Sequence, residues 1–421
     1  PSQVYNLSKS MLKFIVTLPA QGAAGAGDLG ALWLNAPPIQ RITLQTRGGQ
    51  RVVDIPNFAE YWVMTKCQNT PLEEYLSYDN AGFSNLLATA KLKGQCYYHN
   101  PSCSLADAPA THTTHKSRID TAGALVAIAN NKPYISEQVW VTGGPGNGAT
   151  APIIMNCVLD LGKIAHTFFA MDKNFYTSEV LQFIIEWAPS LSSHWGFYHT
   201  AAADLVGAAV LQTAPTISSY YLHLAVEQNN DMKQGLMAKV MNEGLNLGVP
   251  FVTFDTIPLL AGTSAAIQKK INAANGHKLL RCISAVRMTD TSASLFNNFT
   301  NVAAAKITSF QTSMNSVPIQ TNILNCADGD DYRYMKNYLQ DSSVVCSNDY
   351  YSLCPVFIDE FANCMKSIES KEKDTVESGI STAAELTYGI TYTKVAAAHT
   401  CNLICVGLKT LSSGPLGVML V

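Results

Sequence analysis

The segment AELTYGITYT, Ala384 to Thr393, carries Leu386, Tyr388, Ile390 and Tyr392 at strictly alternating positions. A side-chain period of two belongs to an extended strand with one face buried. Runs of this kind recur along the chain and constrain its fold more than any other feature. In the first half they include MLKFIVTL (Met11 to Leu18), IQRITLQT (Ile39 to Thr46), YISEQVWVT (Tyr134 to Thr142), EVLQFIIEWA (Glu179 to Ala188) and ISSYYLHLAV (Ile217 to Val226). In the second half PFVTFDTI (Pro250 to Ile257), LLRCISAVRM (Leu279 to Met288), AKITSFQTSM (Ala305 to Met314) and TCNLICVGL (Thr400 to Leu408) join the alternating segment. They are rich in β-branched and aromatic residues, which suit a pleated, half-buried surface.

The connections are long and hold Gly, Pro, Asn and Ser. Examples are QGAAGAGDLG (Gln21 to Gly30), TGGPGNGATAP (Thr142 to Pro152) and KSIESKEKDTVESG (Lys366 to Gly379). Long loops between short antiparallel strands are what Greek-key and jelly-roll topologies need. The alternation of strands and helices that marks a doubly wound sheet is absent. The expected class is therefore all-β with a few short helices. One helix is expected over Ile55 to Cys67, with Pro56 near its start. A second is expected over Asn229 to Gly244, capped by Asn230 or Asp231 and closed by Gly244. Its apolar stripe is Met232, Leu236, Met237 and Val240. A third is expected over DYRYMKNYLQ, Asp331 to Gln340.

Hydrophobic residues make up 47% of the 421 positions and charged residues 14%, against roughly 25% charged in an average globular chain. Much of the surface must therefore be covered, in cores or against neighbours. A net charge of −3 gives no global attraction to nucleic acid or anionic lipid. The first ten residues carry only Lys9, so no basic arm is expected there. No apolar run is long enough for a spanning helix; AAADLVGAAVL (Ala201 to Leu211) is short and holds Asp204. The 11 cysteines are scattered, a pattern of reduced, buried thiols rather than a disulfide framework.

The two halves echo each other. KFIVTLP (Lys13 to Pro19) parallels PFVTFDTIP (Pro250 to Pro258). Ile39 to Met64 and Lys306 to Leu339 each run strand, turn and tyrosine-bearing helix. Each half closes on a strongly apolar strand, Val180 to Ala188 and Asn402 to Leu408. Two similar β domains are expected, 1–227 and 228–421, each near the size of a large single domain.

Cys96, His99, Cys103, His112 and His115 are of metal-ligating type, but six residues separate the cysteines and no Cys-x2-Cys pair occurs. A zinc site wants tighter pairs, and a polar surface loop accounts for these residues better. The glycine-rich Thr142 to Thr150 lacks the Gly-Lys-Ser/Thr of a phosphate cradle. Asp328-Gly329-Asp330-Asp331 resembles the start of a calcium loop, yet the twelfth position is Leu339 rather than an acid. Asp328-Gly329 is expected to turn, Asp330 to cap the following helix, and Tyr332, Tyr334 and Tyr338 to pack with their polar tips outward. Pro318, just upstream, marks a strand end or sheet edge.

No Gly-x-Ser-x-Gly or His-Glu-x-x-His occurs, and Asp204 and Glu227 have no partner that the sequence identifies. His194 and His199 sit in an aromatic loop, Ser193 to His199, and are read as packing or interface residues. Cys401 and Cys405 share one strand face and both belong in a core. Lys371 to Asp374 (KEKD) reads as a solvated loop tip, and no basic cluster interleaves with aromatics as nucleic-acid binding requires. No catalytic, cofactor-binding or metal residue is therefore expected.

Four stretches together resemble one known family. They are LNAPPIQRITLQTRGGQRVVDIPNFAEYWVM (Leu34 to Met64), VLDLGKIAHTFFAMDKNFYTSEVLQFIIEWA (Val158 to Ala188), ISSYYLHLAVEQNNDMKQGLMAKVMNEGLNLGVPF (Ile217 to Phe251) and the region Lys306 to Leu408. Their order and spacing are similar to the double jelly-roll major capsid proteins of tailless double-stranded DNA viruses, the lineage of adenovirus hexon, virophages and polinton-like viruses. The resemblance implies two eight-stranded jelly-roll sandwiches side by side, joined by a helix-containing linker. It implies homotrimers of pseudo-hexagonal outline that tile an icosahedral shell. It further implies neighbouring capsomers and minor capsid or penton proteins as partners, an internal membrane as an open possibility, and no catalysis, cofactor or sequence-specific nucleic acid. The location implied is the virion, assembled inside the host cell.

Within that reading the contacts between chains are expected from Ser193 to His199, Pro1 to Ser10 and Leu411 to Val421, and removal of Leu411 to Val421 is expected to leave soluble, non-assembling protein. A minor capsid or vertex protein of the same fold is one alternative. A carbohydrate-binding β-sandwich is another, disfavoured because the five tryptophans are spread through strand and helix patterns.

Overall fold

The computed structural model describes residues 3–18, 29–34, 37–69, 153–188, 195–199, 216–288, 307–326, 329–336, 356–362 and 379–421. In the first half β1 (Tyr5–Leu18), β2 (Leu29–Leu34), β3 (Ile39–Thr46) and β4 (Arg51–Pro56) lead into α1 (Phe58–Asn69). β5 (Ile153–Asp160), β6 (Leu181–Trp187), β7 (Trp195–His199) and β8 (Thr216–Val226) follow. The pairing is nested: β1 with β8, β2 with β7 and β3 with β6, all antiparallel. First strand meets last, as in a long hairpin rolled over on itself, which is the jelly-roll arrangement. β5 flanks β1 and β4 flanks β3, giving two three-stranded sheets and the two-stranded β2–β7 ribbon.

The second half repeats the nesting. After α2 (Asn230–Asn242) come β9 (Leu245–Leu259), β10 (Ser264–Ile271), β11 (Lys278–Met288), β12 (Ile307–Met314), β13 (Val317–Pro318) and β14 (Leu324–Asn325). Then come α3 (Asp330–Lys336), β15 (Val356–Glu360), β16 (Ile380–Ser381), β17 (Leu386–Lys394), β18 (His399–Gly414) and β19 (Gly417–Leu420). One sheet runs β15-β11-β18-β9 and the facing one β10-β17-β12-β13. The alternation of β17 sends Leu386, Tyr388, Ile390 and Tyr392 into the core between them, each 7% exposed or less. The strand and its burial follow from the pattern in the sequence.

The central strand β18 is different. It is buried without interruption from His399 to Leu408. One face, with Cys401, Leu403 and Cys405, looks into the second roll. On the other, Asn402 donates from Nδ2 to Glu60 Oε2 on α1 at 3.0 Å. A strand covered on both faces must be apolar at nearly every position, which explains why NLICVGL does not alternate. Gly407 is required here, because a Cβ at that position would sit 1.8 Å from the Asn275 carbonyl oxygen.

α2 is capped by Asn229, not by Asn230 or Asp231; its side chain accepts from Asp231 N and Met232 N. Met232 is exposed and the packed stripe begins at Leu236 and Met237, around Val240, Val4 and Tyr176. Gly244, at φ 76°, closes the helix as expected. Asp330 is the first residue of α3 rather than its cap, and its carboxylate accepts from Arg333 Nη1 at 3.2 Å. Tyr334 does not turn its tip outward: its hydroxyl donates to Asp359 Oδ1 at 3.3 Å. Ser193 to His199 is not a loop throughout, since Trp195–His199 is β7, paired to β2. Strands at Ser264–Ile271 and Val356–Glu360 had no clear signal: the first holds Gln268, Lys269 and Lys270, and the second is short. Pro318 does stand at a sheet edge.

Candidate assembly surfaces and buried polar sites

The first roll opens along one side. β8 pairs only with β1 and β6 only with β3 among the described residues. Between these strands lies an open apolar cleft lined by Leu7, Leu44, Phe169, Phe183, Leu222 and Leu224 among others. On β8 Tyr220 and Tyr221 are 63% and 62% exposed, and Leu222 and Leu224 are also exposed. Edge strands with apolar faces are surfaces that proteins ordinarily cover. Trp187 backs this region, 6.0 Å from the Tyr220 ring and edge-on to Phe14 at 5.2 Å.

The C-terminal segment is built into the body. β19 pairs with Leu411 to Gly414 of β18, on the edge that β11 leaves beyond Leu408. Leu411 is buried, Ser413 Oγ donates to Tyr176 O at 2.9 Å, and Val418 N donates to Glu179 Oε2 at 3.1 Å. The hairpin thus ties the second roll to the first. Only Leu416, Met419 and Val421 of this segment are large apolar residues left exposed.

The seam between the rolls holds a buried ion pair that the sequence did not disclose. Arg281 on β11 donates from Nη2 to Glu360 Oε2 on β15 at 2.7 Å. Its Nη1 lies 3.4 Å from Nε2 of buried His166, which belongs to the first roll and holds a left-handed φ of 56°. Both Arg281 and Glu360 side chains are at most 14% exposed, so each charge, largely withdrawn from water, is compensated by the other.

Inside the second roll, Asp359 on β15 accepts from Tyr388 Oη at 2.6 Å, Gln320 Nε2 at 3.1 Å and Tyr334 Oη. Burial pushes its carboxyl above the usual value, and these hydrogen bonds pull the other way without cancelling it. At one end of that roll the Lys394 ammonium donates to four carbonyls, of Leu260, Gly262, Val395 and Ala397, at 2.7 to 3.3 Å. The only hint of Asp359 is an acid inside the apolar run VFIDE. A lysine closing a strand, as Lys394 does, carries no distinctive signal.

Among the described residues no group of three or more His, Cys, Asp or Glu could hold a metal. Cys96, His99, Cys103, His112 and His115 lie outside the described residues, as do Thr142 to Thr150, Tyr134 to Thr142, Asp204, His194 and Lys371 to Asp374. Glu227 accepts from Asn229 N and Asn174 Nδ2, which lowers its carboxyl below the usual range. That is a structural role at the entry to α2.

No protein-family model and no curated protein matches the chain in sequence. Solved structures do match. The mavirus major capsid protein aligns with a TM-score of 0.54 at 10% identity, over 100% of this chain and 85% of that one. The Sputnik virophage structure aligns at 0.52 and 10% identity, over 100% and 83%. PBCV-1 Vp54, as fitted into a reconstruction of Sputnik, aligns at 0.50 and 11% identity, over 100% and 90%. The chain therefore has the double jelly-roll fold of viral major capsid proteins. The likeness runs through both rolls and nearly the full length of the chain.

Proposed function

We propose that this chain is a viral major capsid protein that assembles as a homotrimer of pseudo-hexagonal outline and tiles an icosahedral shell. The observation that carries the reading is the nested strand pairing, present twice in one chain, with both rolls packed on a single continuous core. Two similar rolls held rigidly in each of three chains place six around a threefold axis, and closed cyclic symmetry is the ordinary way such copies associate. The boundary between the rolls is taken at 227/228. Partners are further capsomers and minor capsid or penton proteins, in the virion, after assembly in the host cell. The chain acts by packing, without catalysis, cofactor or sequence-specific nucleic-acid contact.

The apolar cleft between β6 and β8, with Tyr220 and Tyr221 beside it, is the principal contact surface in this proposal. The exposed tip of the C-terminal hairpin, Leu416 to Met419, is the second. Trimer formation by the purified chain, and its copy number in particles, test the reading. A major capsid protein dominates the particle by copy number; a vertex protein of the same fold is present in few copies.

A further inference from the structure

β11 and β18 are antiparallel neighbours, and their register sets Cys282 directly opposite Cys405. Both side chains are buried and lie on the face turned toward β17. Their sulfurs are 3.9 Å apart. Opposed residues of an antiparallel pair have Cα atoms about 4.5–5.5 Å apart, inside the roughly 4.4–6.8 Å that a disulfide spans. Closing the gap to the ~2.05 Å of a covalent bond asks for side-chain rotation rather than a backbone shift. Other described cysteines lack this arrangement: Cys401 opposes Val286, and Cys157 opposes Phe14.

We propose that Cys282 and Cys405 form a latent cross-strand disulfide that a small disulfide oxidant of the glutathione class closes. One cysteine, as thiolate, attacks the oxidant and releases one thiol, leaving a mixed disulfide. The second attacks that sulfur and releases the other thiol. Two protein thiols are oxidised, one oxidant disulfide is reduced to two thiols, and the protons end on those thiols. The link joins strands 123 residues apart at the centre of the β15-β11-β18-β9 sheet, so it restrains the unfolded chain strongly. Burial holds the Cys282 thiol well above its usual value and Asp359 adds to this. The pair therefore reacts when the sheet opens, and stays reduced while it is closed.

The test is to hold the purified full chain in a glutathione redox buffer, natively and in a second arm through denaturation and refolding. Free thiols are then blocked and the peptides read by mass spectrometry. The expected result is a peptide pair linked through Cys282 and Cys405, lighter by two hydrogens, and more abundant in the refolding arm. Refolded, oxidised protein should unfold more slowly than reduced protein, and reductant or Cys405→Ser should abolish the difference. Cys401→Ala should retain the link. If both cysteines are recovered blocked in both arms, or are linked elsewhere, the proposal is overturned.

Discussion

The side-chain amide of Gln50 holds the backbone of Leu420 at both of its polar groups, 370 residues away in sequence: Nε2 donates to Leu420 O at 3.2 Å, and Oε1 accepts from Leu420 N at 2.9 Å. A glutamine of the first roll thus takes the place of a strand partner for the last strand of the second. With Glu179 accepting from Val418 N, it fastens the C-terminal hairpin across the seam.

Gln50→Ala should therefore loosen the hairpin without unfolding either roll. Loss of two exposed neutral hydrogen bonds should cost about 1 kcal/mol. Amide exchange at Leu420 should accelerate while exchange in β11 stays unchanged. Equal protection of Leu420 in both proteins would contradict the role given to Gln50. The same geometry changes what removal of Leu411 to Val421 would do. Leu411 and Ser413 are buried, so the truncated chain should be destabilised before assembly is ever tested. Leu416→Asp, at an exposed tip, is the cleaner probe.

Arg281 and Glu360 should behave as a unit. Arg281→Met leaves a carboxylate buried without its partner and should cost about 3–5 kcal/mol. Arg281→Met combined with Glu360→Leu should recover most of that loss, because no uncompensated charge remains. Denaturant unfolding of the two single variants and the pair gives the coupling energy; simple additivity would refute it.

Asp359 gives a signed pH dependence. Its folded carboxyl titrates above the ordinary 3.8, so the folded chain holds the proton more tightly than the unfolded one. The resulting stabilisation is complete below the ordinary value and is lost as pH rises through the folded value. The stability of the wild type relative to Asp359→Asn should therefore fall as pH rises from the ordinary carboxylate value through the raised folded one, and level off above it. Urea titrations across that range measure it, and a difference that grows with pH would reverse the account.

Lys394→Met should open the turns that meet at its ammonium. With the charge gone, carbonyls of Leu260, Gly262 and Ala397 lose a buried donor, at about 1–3 kcal/mol in total. Faster amide exchange at Gly262 and Lys394, whose backbone N–H groups bond across these turns, should report it. Unchanged exchange at both would exclude the lock.

The strands that bury one face were legible because their side chains alternate; Leu386 to Tyr392 is the clearest case. β18 was legible as a strand, but its two-sided burial was not, since nothing in NLICVGL says what covers the second face. The contacts that join the rolls were invisible for the same reason. Arg281 and Glu360 are far apart in sequence and meet only when β11 pairs with β15, and His166 joins them only when the first roll packs on the second. The inward turn of Tyr334 is not legible in its own segment, because Asp359, the partner that turns it inward, lies 25 residues away. The exposed apolar edge of β8 was hidden in a run that reads like any core strand.

The central claim is that this fold assembles. The most direct measurement is the mass of the purified chain in solution, paired with electron micrographs of the same sample. Three copies of the 45.5 kDa chain in particles of hexagonal outline are predicted, with Tyr220→Asp/Tyr221→Asp remaining monomeric. A wild-type chain that stays at the mass of one copy at every concentration, with no hexagonal particles, would contradict the account.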